Sequence, residues 1–189
     1  TGEVISVSDS GVTPVPPAPV APRRERPPLE PVVFASQRSN VRVDGTRVSW
    51  AGWSLHWRAN RRSGVEIADA RFDAGEGARR VLYEASVADL FVPYQHPDPS
   101  WTFRTLLDSA EFGMGNTMSQ LQAGVDCPDT ATYFDVMLPD DSARAVTKPR
   151  SMCVFERPTG TPAYRHEGDA APETELVLRW IAVVGNYDY

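Results

Sequence analysis

No run of apolar residues in this chain is long enough to span a bilayer, and no charged-then-apolar leader opens it. A membrane partner is therefore not expected. Positive charge is also scarce. The formal net charge is -6, and the one basic cluster, Arg23-Arg24-Glu25-Arg26, sits between prolines. Phosphate binding needs clustered cations, so a nucleic-acid partner is not expected, and the cluster reads as a solvated linker. Histidines number three, His56, His96 and His166, and they are scattered. With no Cys-x-x-Cys and no close histidine pair, a zinc site is not expected. Cysteines number two, Cys127 and Cys153, which could form one disulfide or stand as two buried thiols.

What is present points to β structure. The chain has 189 residues, the length of one ordinary domain, with 41% hydrophobic and 10% aromatic residues. Prolines crowd residues 14–31, which favours an extended connecting arm and places a domain boundary there. The first residue is Thr1, and the most apolar run, 176–184, lies just before the last residue. A strand that apolar needs neighbours to bury it, so a segment cut from a longer protein at both ends is expected.

Residues 2–7 read as a short strand. Residues 40–50 read as a hairpin turning at Asp44-Gly45, with Val43 opposite Thr46 and Val41 opposite Val48. Trp53, Leu55 and Trp57 alternate with Ser54, His56 and Arg58, the period of a half-buried strand. Further strands are expected at 65–72, 80–83, 132–138 and 151–156, and one helical turn at 86–89, where a serine precedes an acid by three residues. The last strand is expected over 174–186, apolar on both faces and so buried on both, delivering Tyr187 to a fixed point.

The residues that could carry chemistry fall in a recognisable order. Val92-Pro93-Tyr94 is followed by Asp108-Ser109-Ala110-Glu111-Phe112-Gly113-Met114-Gly115, then by Gly124-Val125-Asp126-Cys127, and finally by Gly185-Asn186-Tyr187-Asp188-Tyr189. Taken singly, Asp108 reads as a turn residue and Tyr187 as a core tyrosine. Together the segments resemble copper amine oxidases, in which an Asn-Tyr-Asp/Glu tyrosine becomes topaquinone and an Asp-x-Gly-Glu motif supplies the base. The tryptophan-rich stretch 50–57 and the segment 81–83 resemble the start of that family's catalytic domain.

The resemblance implies an all-β chain. Residues 1–13 would end a preceding small domain, 14–31 would be the proline-rich linker, and 32–189 would form the first, incomplete half of the large β-sandwich catalytic domain. It implies a primary amine oxidase taking a primary amine and molecular oxygen to aldehyde, ammonia and hydrogen peroxide. Tyr187 would be the topaquinone precursor, Asp108 the base that removes a proton from the carbon beside nitrogen, and Tyr94 and Asn186 the residues that hold the quinone ring. It also implies a Cys127–Cys153 disulfide and a homodimeric full-length enzyme.

Copper would be the second cofactor. Its ligands in the family are three histidines after the quinone strand, so no metal ligand is assigned among His56, His96 and His166, and copper ligands are expected outside this chain. The segment by itself is expected to be inactive. Three positions depart from the family pattern. Ala110 replaces a glycine, which would strain the turn if a positive φ were needed there; Leu106 replaces an aromatic; Val183 replaces a threonine. Two rival readings follow. One is a non-catalytic remnant or structural subunit of the same family. The other is a β-sandwich binding module presenting Trp50, Trp53, Trp57 and Trp101 as a contact face.

Overall fold

The computed structural model describes residues 5–7, 11, 14, 39–93, 97–101, 109–185 and 187–189. The chain divides into two units, Thr1–Val33 and Phe34–Tyr189. In the first, residues 5–7 form no strand; Ile5 and Val7 are exposed, so their alternation meets no apolar surface. The regular elements among the described residues all lie in the second unit. Apart from a 3-10 turn at Pro99–Trp101 and a four-residue helical turn, α1 (Ser109–Phe112), its regular elements among the described residues are β-strands.

Five strands form one antiparallel sheet in chain order: β1 (Arg42–Asp44), β2 (Arg47–Trp50), β3 (Trp53–Asn60), β4 (Gly64–Phe72) and β5 (Arg79–Ala85). The first hairpin departs from the expected register. Val43 pairs with Val48 and Asp44 with Arg47, so Gly45 and Thr46 make the turn. Gly45 takes φ +55 at the first central position, which suits a primed hairpin turn and brings two valines together.

Along β3 the alternation holds, with Leu55 and Trp57 buried and His56 and Arg58 exposed. Its partner β4 breaks the two-residue period between Ile67 and Ala70. A bulge there, with Asp69 at φ +46, returns Ala70 and Phe72 to the side of Trp53. The helical turn expected at 86–89 is absent. One turn closes too few hydrogen bonds to nucleate itself, and Asp89 instead accepts from the Arg62 guanidinium at 3.1 Å.

A second antiparallel sheet comprises β6 (Thr132–Pro139), β7 (Ala145–His166) and β8 (Asp169–Arg179), in that order. Its two faces enter two different cores. On one side Val136, Leu138, Met152 and Val154 pack with Val48, Leu55, Trp57 and Val65 of the five-stranded sheet, and the Trp57 and Phe134 rings meet edge-on at 5.0 Å. On the other side Cys153 and Phe155 pack with Leu121 and Cys127. The apolar residues of β8 divide accordingly: Leu176 and Leu178 face the first core, Val177 the second.

Beyond this double-faced region β7 and β8 run on as an exposed hairpin, with register breaks at Pro158 and Pro162, which have no N–H to donate. β7 is thus much longer than the run 151–156 expected for it.

The disulfide Cys127–Cys153 ties the loop after residue 119 to the centre of β7. That loop is shaped by its own backbone. Gly124 N donates to Cys127 O at 2.8 Å, and the Asp126 carboxylate accepts from Gln122 N at 2.6 Å. The bridge spans a sequence separation of 26, for which loss of chain entropy in the unfolded state amounts to about 3–4 kcal/mol. Replacing both cysteines by serine is expected to lower unfolding free energy by about that amount in equilibrium urea denaturation. An unchanged midpoint would rule out a stabilising role for the bridge.

Candidate functional site

The strand expected over 174–186 is interrupted. β8 ends at Arg179, and the chain changes partner before resuming as β9 (Val183–Val184), turning at Gly185 and returning as β10 (Tyr187–Asp188). The cause lies in β7, whose ladder with β8 stops at Cys153 because residues 149–151 bulge out opposite Asp135. Arg150 takes φ +46 there, and its carbonyl is already used by Leu121 N. The residues after Arg179 therefore pair with the segment 117–119: Ser119 N donates to Ile181 O at 3.0 Å, and Val183 N to Thr117 O at 2.9 Å.

Tyr187 thus stands on the return strand of a tight hairpin, opposite Val184, rather than on the extension of a buried strand. Gly185 takes φ +61 in the turn. Paired bonds between Ala182 and Tyr189, 3.0 and 2.9 Å, close the hairpin at its open end. Beneath it lies a small core of buried Met114 and Ala182, against which Leu90, Trp180 and Tyr189 pack. Trp180 is wedged against Gly64, where a β-carbon would fall 2.4 Å from the indole. The Tyr187 side chain is 68% exposed, with its ring 6.4 Å from that of Tyr189.

The Gly-x-Gly that follows Asp108 in sequence has a specific structural use. Gly113, at φ +86, and Gly115 lie against the turn 60–63 between β3 and β4. A β-carbon on Gly115 would sit 1.9 Å from Asn60 O, and one on Gly113 2.7 Å from Arg61 O. Met114 N donates to Arg62 O at 2.8 Å and Asn116 N to Arg61 O at 3.0 Å, so two bonds fix the segment to the turn. Lys148 Nζ, inserted from β7, donates to Asn116 O at 2.7 Å and Met118 O at 3.2 Å.

The turn itself is pinned by a buried carboxylate. Glu66 accepts from Ser63 Oγ and from Arg58 Nε, both at 2.5 Å. Its carboxyl is held below the ordinary glutamate value by the Ser63 hydroxyl first, against the opposing effect of burial, with Arg58 adding to the lowering.

Of the residues singled out in sequence, Tyr187, Cys127 and Cys153 are placed as described. Asp108, Tyr94 and Asn186 lie outside the described residues, as do His96 and Leu106. Ala110 lies within α1 and is not among the residues with positive φ, so the strain considered for it does not arise. Its neighbour Ser109 is fully buried, and its hydroxyl has no hydrogen-bond partner among the described residues. Three of the tryptophans considered for a contact face are engaged within the fold. Trp57 is buried in the main core, the Trp53 ring lies 5.0 Å from that of Phe72 at a 45° tilt, and Trp50 Nε1 donates to Glu156 at 2.7 Å.

Sequence reasoning missed Arg61, Asn116 and Lys148, which hold the segment beneath the hairpin. The glycine spacing was the one signal of a close approach there. Among the described residues no group of three or more His, Cys, Asp or Glu could hold a metal ion, and no helix is long and apolar enough to cross a membrane. The residues described thus do not fit a copper site.

Among the described residues the second unit is antiparallel β structure that closes in a glycine-turned hairpin exposing Tyr187. Residues 42–189 match the family described as copper amine oxidase, enzyme domain. The chain belongs to that family. It is 34% identical over 196 residues to a primary amine oxidase of Klebsiella aerogenes, covering 99% of this chain and 26% of the relative. It is 37% identical over 164 residues to primary amine oxidase 1 of Arabidopsis thaliana, covering 80% and 25%. Among solved structures, a copper-containing benzylamine oxidase from Hansenula polymorpha superposes with a TM-score of 0.73 at 28% identity, covering 86% of this chain and 26% of that one. The chain spans about a quarter of the length of these relatives.

Two outcomes test this geometry. Gly115→Ala is expected to cost about 3 kcal/mol or more, because the new methyl meets backbone rather than a movable side chain; thermal unfolding measures it, and a shift under one degree would contradict the docking. Glu66 has a lowered folded pKa, so its stabilisation is present above the unfolded value of about 4.3 and is lost as pH falls through the folded value. Ser63→Ala removes the largest cause of the lowering, so the acid-unfolding midpoint is expected to move to higher pH.

Proposed function

We propose that this chain is part of a copper-dependent primary amine oxidase and carries two of its essential groups, the cofactor precursor Tyr187 and the base Asp108. The whole enzyme would take a primary amine, oxygen and water to an aldehyde, ammonia and hydrogen peroxide. The observation that supports this most is that family membership runs through residue 189, and that Tyr187 of the Gly185-Asn186-Tyr187-Asp188 run is held out on a hairpin with its side chain exposed.

Topaquinone, once formed from Tyr187, would supply an electrophilic carbonyl to the amine and accept two electrons. The chain's own residues have the simpler tasks. The hairpin holds the tyrosine at a fixed height above the core of Met114 and Ala182. Asp108 would take the proton from the carbon beside nitrogen, which needs a carboxylate within hydrogen-bond reach of that carbon's proton. Tyr94 and Asn186 would bracket the ring. Copper enters this reading through the family alone, with ligands outside this chain, and no step is derived through it.

In the same reading residues 32–189 form the first half of a β-sandwich catalytic domain, preceded by the linker 14–31 and by the end of a small domain at 1–13. The full-length enzyme would be a homodimer.

Substitution in the full-length polypeptide, matured with copper and oxygen, tests the reading. Tyr187→Phe is expected to abolish quinone staining and peroxide release together. Asp108→Asn is expected to keep the stain while slowing turnover by about 10²–10⁴-fold. Quinone staining in the Tyr187→Phe protein would sink the assignment.

A further inference from the structure

The segment 116–119 divides its backbone bonds between two partners. Thr117 O accepts from Val183 N at 2.9 Å, Ser119 N donates to Ile181 O at 3.0 Å, and Met118 bridges Ala182 antiparallel. These bonds hold the hairpin that carries Tyr187. The alternate carbonyls, Asn116 O and Met118 O, are both taken by Lys148 Nζ, at 2.7 and 3.2 Å. One ammonium thus fills the place of two backbone N–H groups that an adjoining strand would otherwise supply.

The ammonium is itself held at a fixed point. Lys148 pairs with Val136 across β6 and β7 and so shares its face, and Val136 and Met118 belong to the same buried core. Two residues further on, Arg150 N donates to Asp135 at 2.8 Å and Arg150 O accepts from Leu121 N at 2.9 Å. From the segment the path to the tyrosine is short. Ala182 exchanges two bonds with Tyr189, and Val184 pairs with Tyr187.

We propose that Lys148 is a positioning residue that sets where the Tyr187 hairpin sits over the core of Met114 and Ala182. The inference rests on the reading of Tyr187 as cofactor precursor and deepens it. Without the ammonium, two carbonyls lose their donors and the segment is free to turn them toward water. Residues 181–183 have their partners on that segment and would move with it, and Tyr187 with them. The five-stranded sheet keeps its own ladder. Misplacement of about 1 Å at a reacting group can cost on the order of 100-fold in rate.

Two variants of the full-length polypeptide test this. Lys148→Met keeps the stem and removes the donors. Before copper is added, hydrogen exchange followed by mass spectrometry is expected to quicken on the order of tenfold at residues 116–119 and 181–184, and to stay unchanged in β3 and β4. After maturation with copper and oxygen, the quinone absorption maximum is expected to shift, and kcat per quinone to fall about 10- to 100-fold. Lys148→Arg, whose guanidinium can donate to both carbonyls, is expected to restore exchange, spectrum and rate together.

Exchange that quickens alike throughout the protein, or a wild-type spectrum and kcat per quinone in the methionine variant, would reduce Lys148 to scaffold and overturn the inference. Should that variant fail to fold, Lys148→Gln decides alone, because its side chain is one bond shorter. Wild-type exchange and spectrum in the glutamine variant overturn the inference. A wild-type enzyme that forms no quinone would instead overturn the reading of Tyr187, and the exchange comparison would still decide whether Lys148 holds the hairpin.

Discussion

Gly115 approaches the carbonyl of Asn60 more closely than any side chain would permit, and most of the region around Tyr187 depends on that approach. It lets residues 113–119 lie flat against the turn between β3 and β4, with two backbone hydrogen bonds made there. The opposite edge of the same segment is then free to receive residues 181–183 when they leave the second sheet. Without it, the chain after Arg179 would have neither a partner for its amides nor a core for Ala182. A backbone contact thus transmits the position of one hairpin turn to another, through a segment whose two glycines let backbone meet backbone.

Polar groups reinforce the same contact from three directions. Glu66, Ser63 and Arg58 stiffen the turn from within its own sheet. Arg61 reaches to the Asp140 region at the β6–β7 turn, and Lys148 reaches in from β7 to take two carbonyls that no strand satisfies. Buried carbonyls need donors, and a lysine ammonium with three of them is an economical means of closing an irregular segment. The disulfide performs the corresponding task for the loop beyond residue 119, at the edge of the second core.

Much of this fold was legible in the sequence wherever one face was buried. The alternation in β3 predicted its buried set of Leu55 and Trp57, and the apolar character of residues 176–178 on both faces corresponds to two separate cores. Periodicity failed where the chain departs from it. The bulge at Asp69, the turn at Gly45-Thr46 and the change of partner after Arg179 each depend on what lies across the sheet. The capping-box pattern at 86–89 failed for a related reason, since a lone turn has little local energy and Asp89 found a cation elsewhere.

By itself, the sequence determined the family and the all-β class, because a motif order survives in one dimension without knowledge of contacts. It also paired the two cysteines once the family was recognised. Only the tertiary structure decided how Tyr187 is presented, on the return strand of a glycine-turned hairpin, and that Gly113 and Gly115 serve close backbone contact. The importance of Arg61, Asn116 and Lys148 was likewise decided in three dimensions. Apart from the Asn116–Phe112 bond, their side-chain partners lie 30 to 80 residues away, and no local pattern in a sequence records a hydrogen bond across that distance.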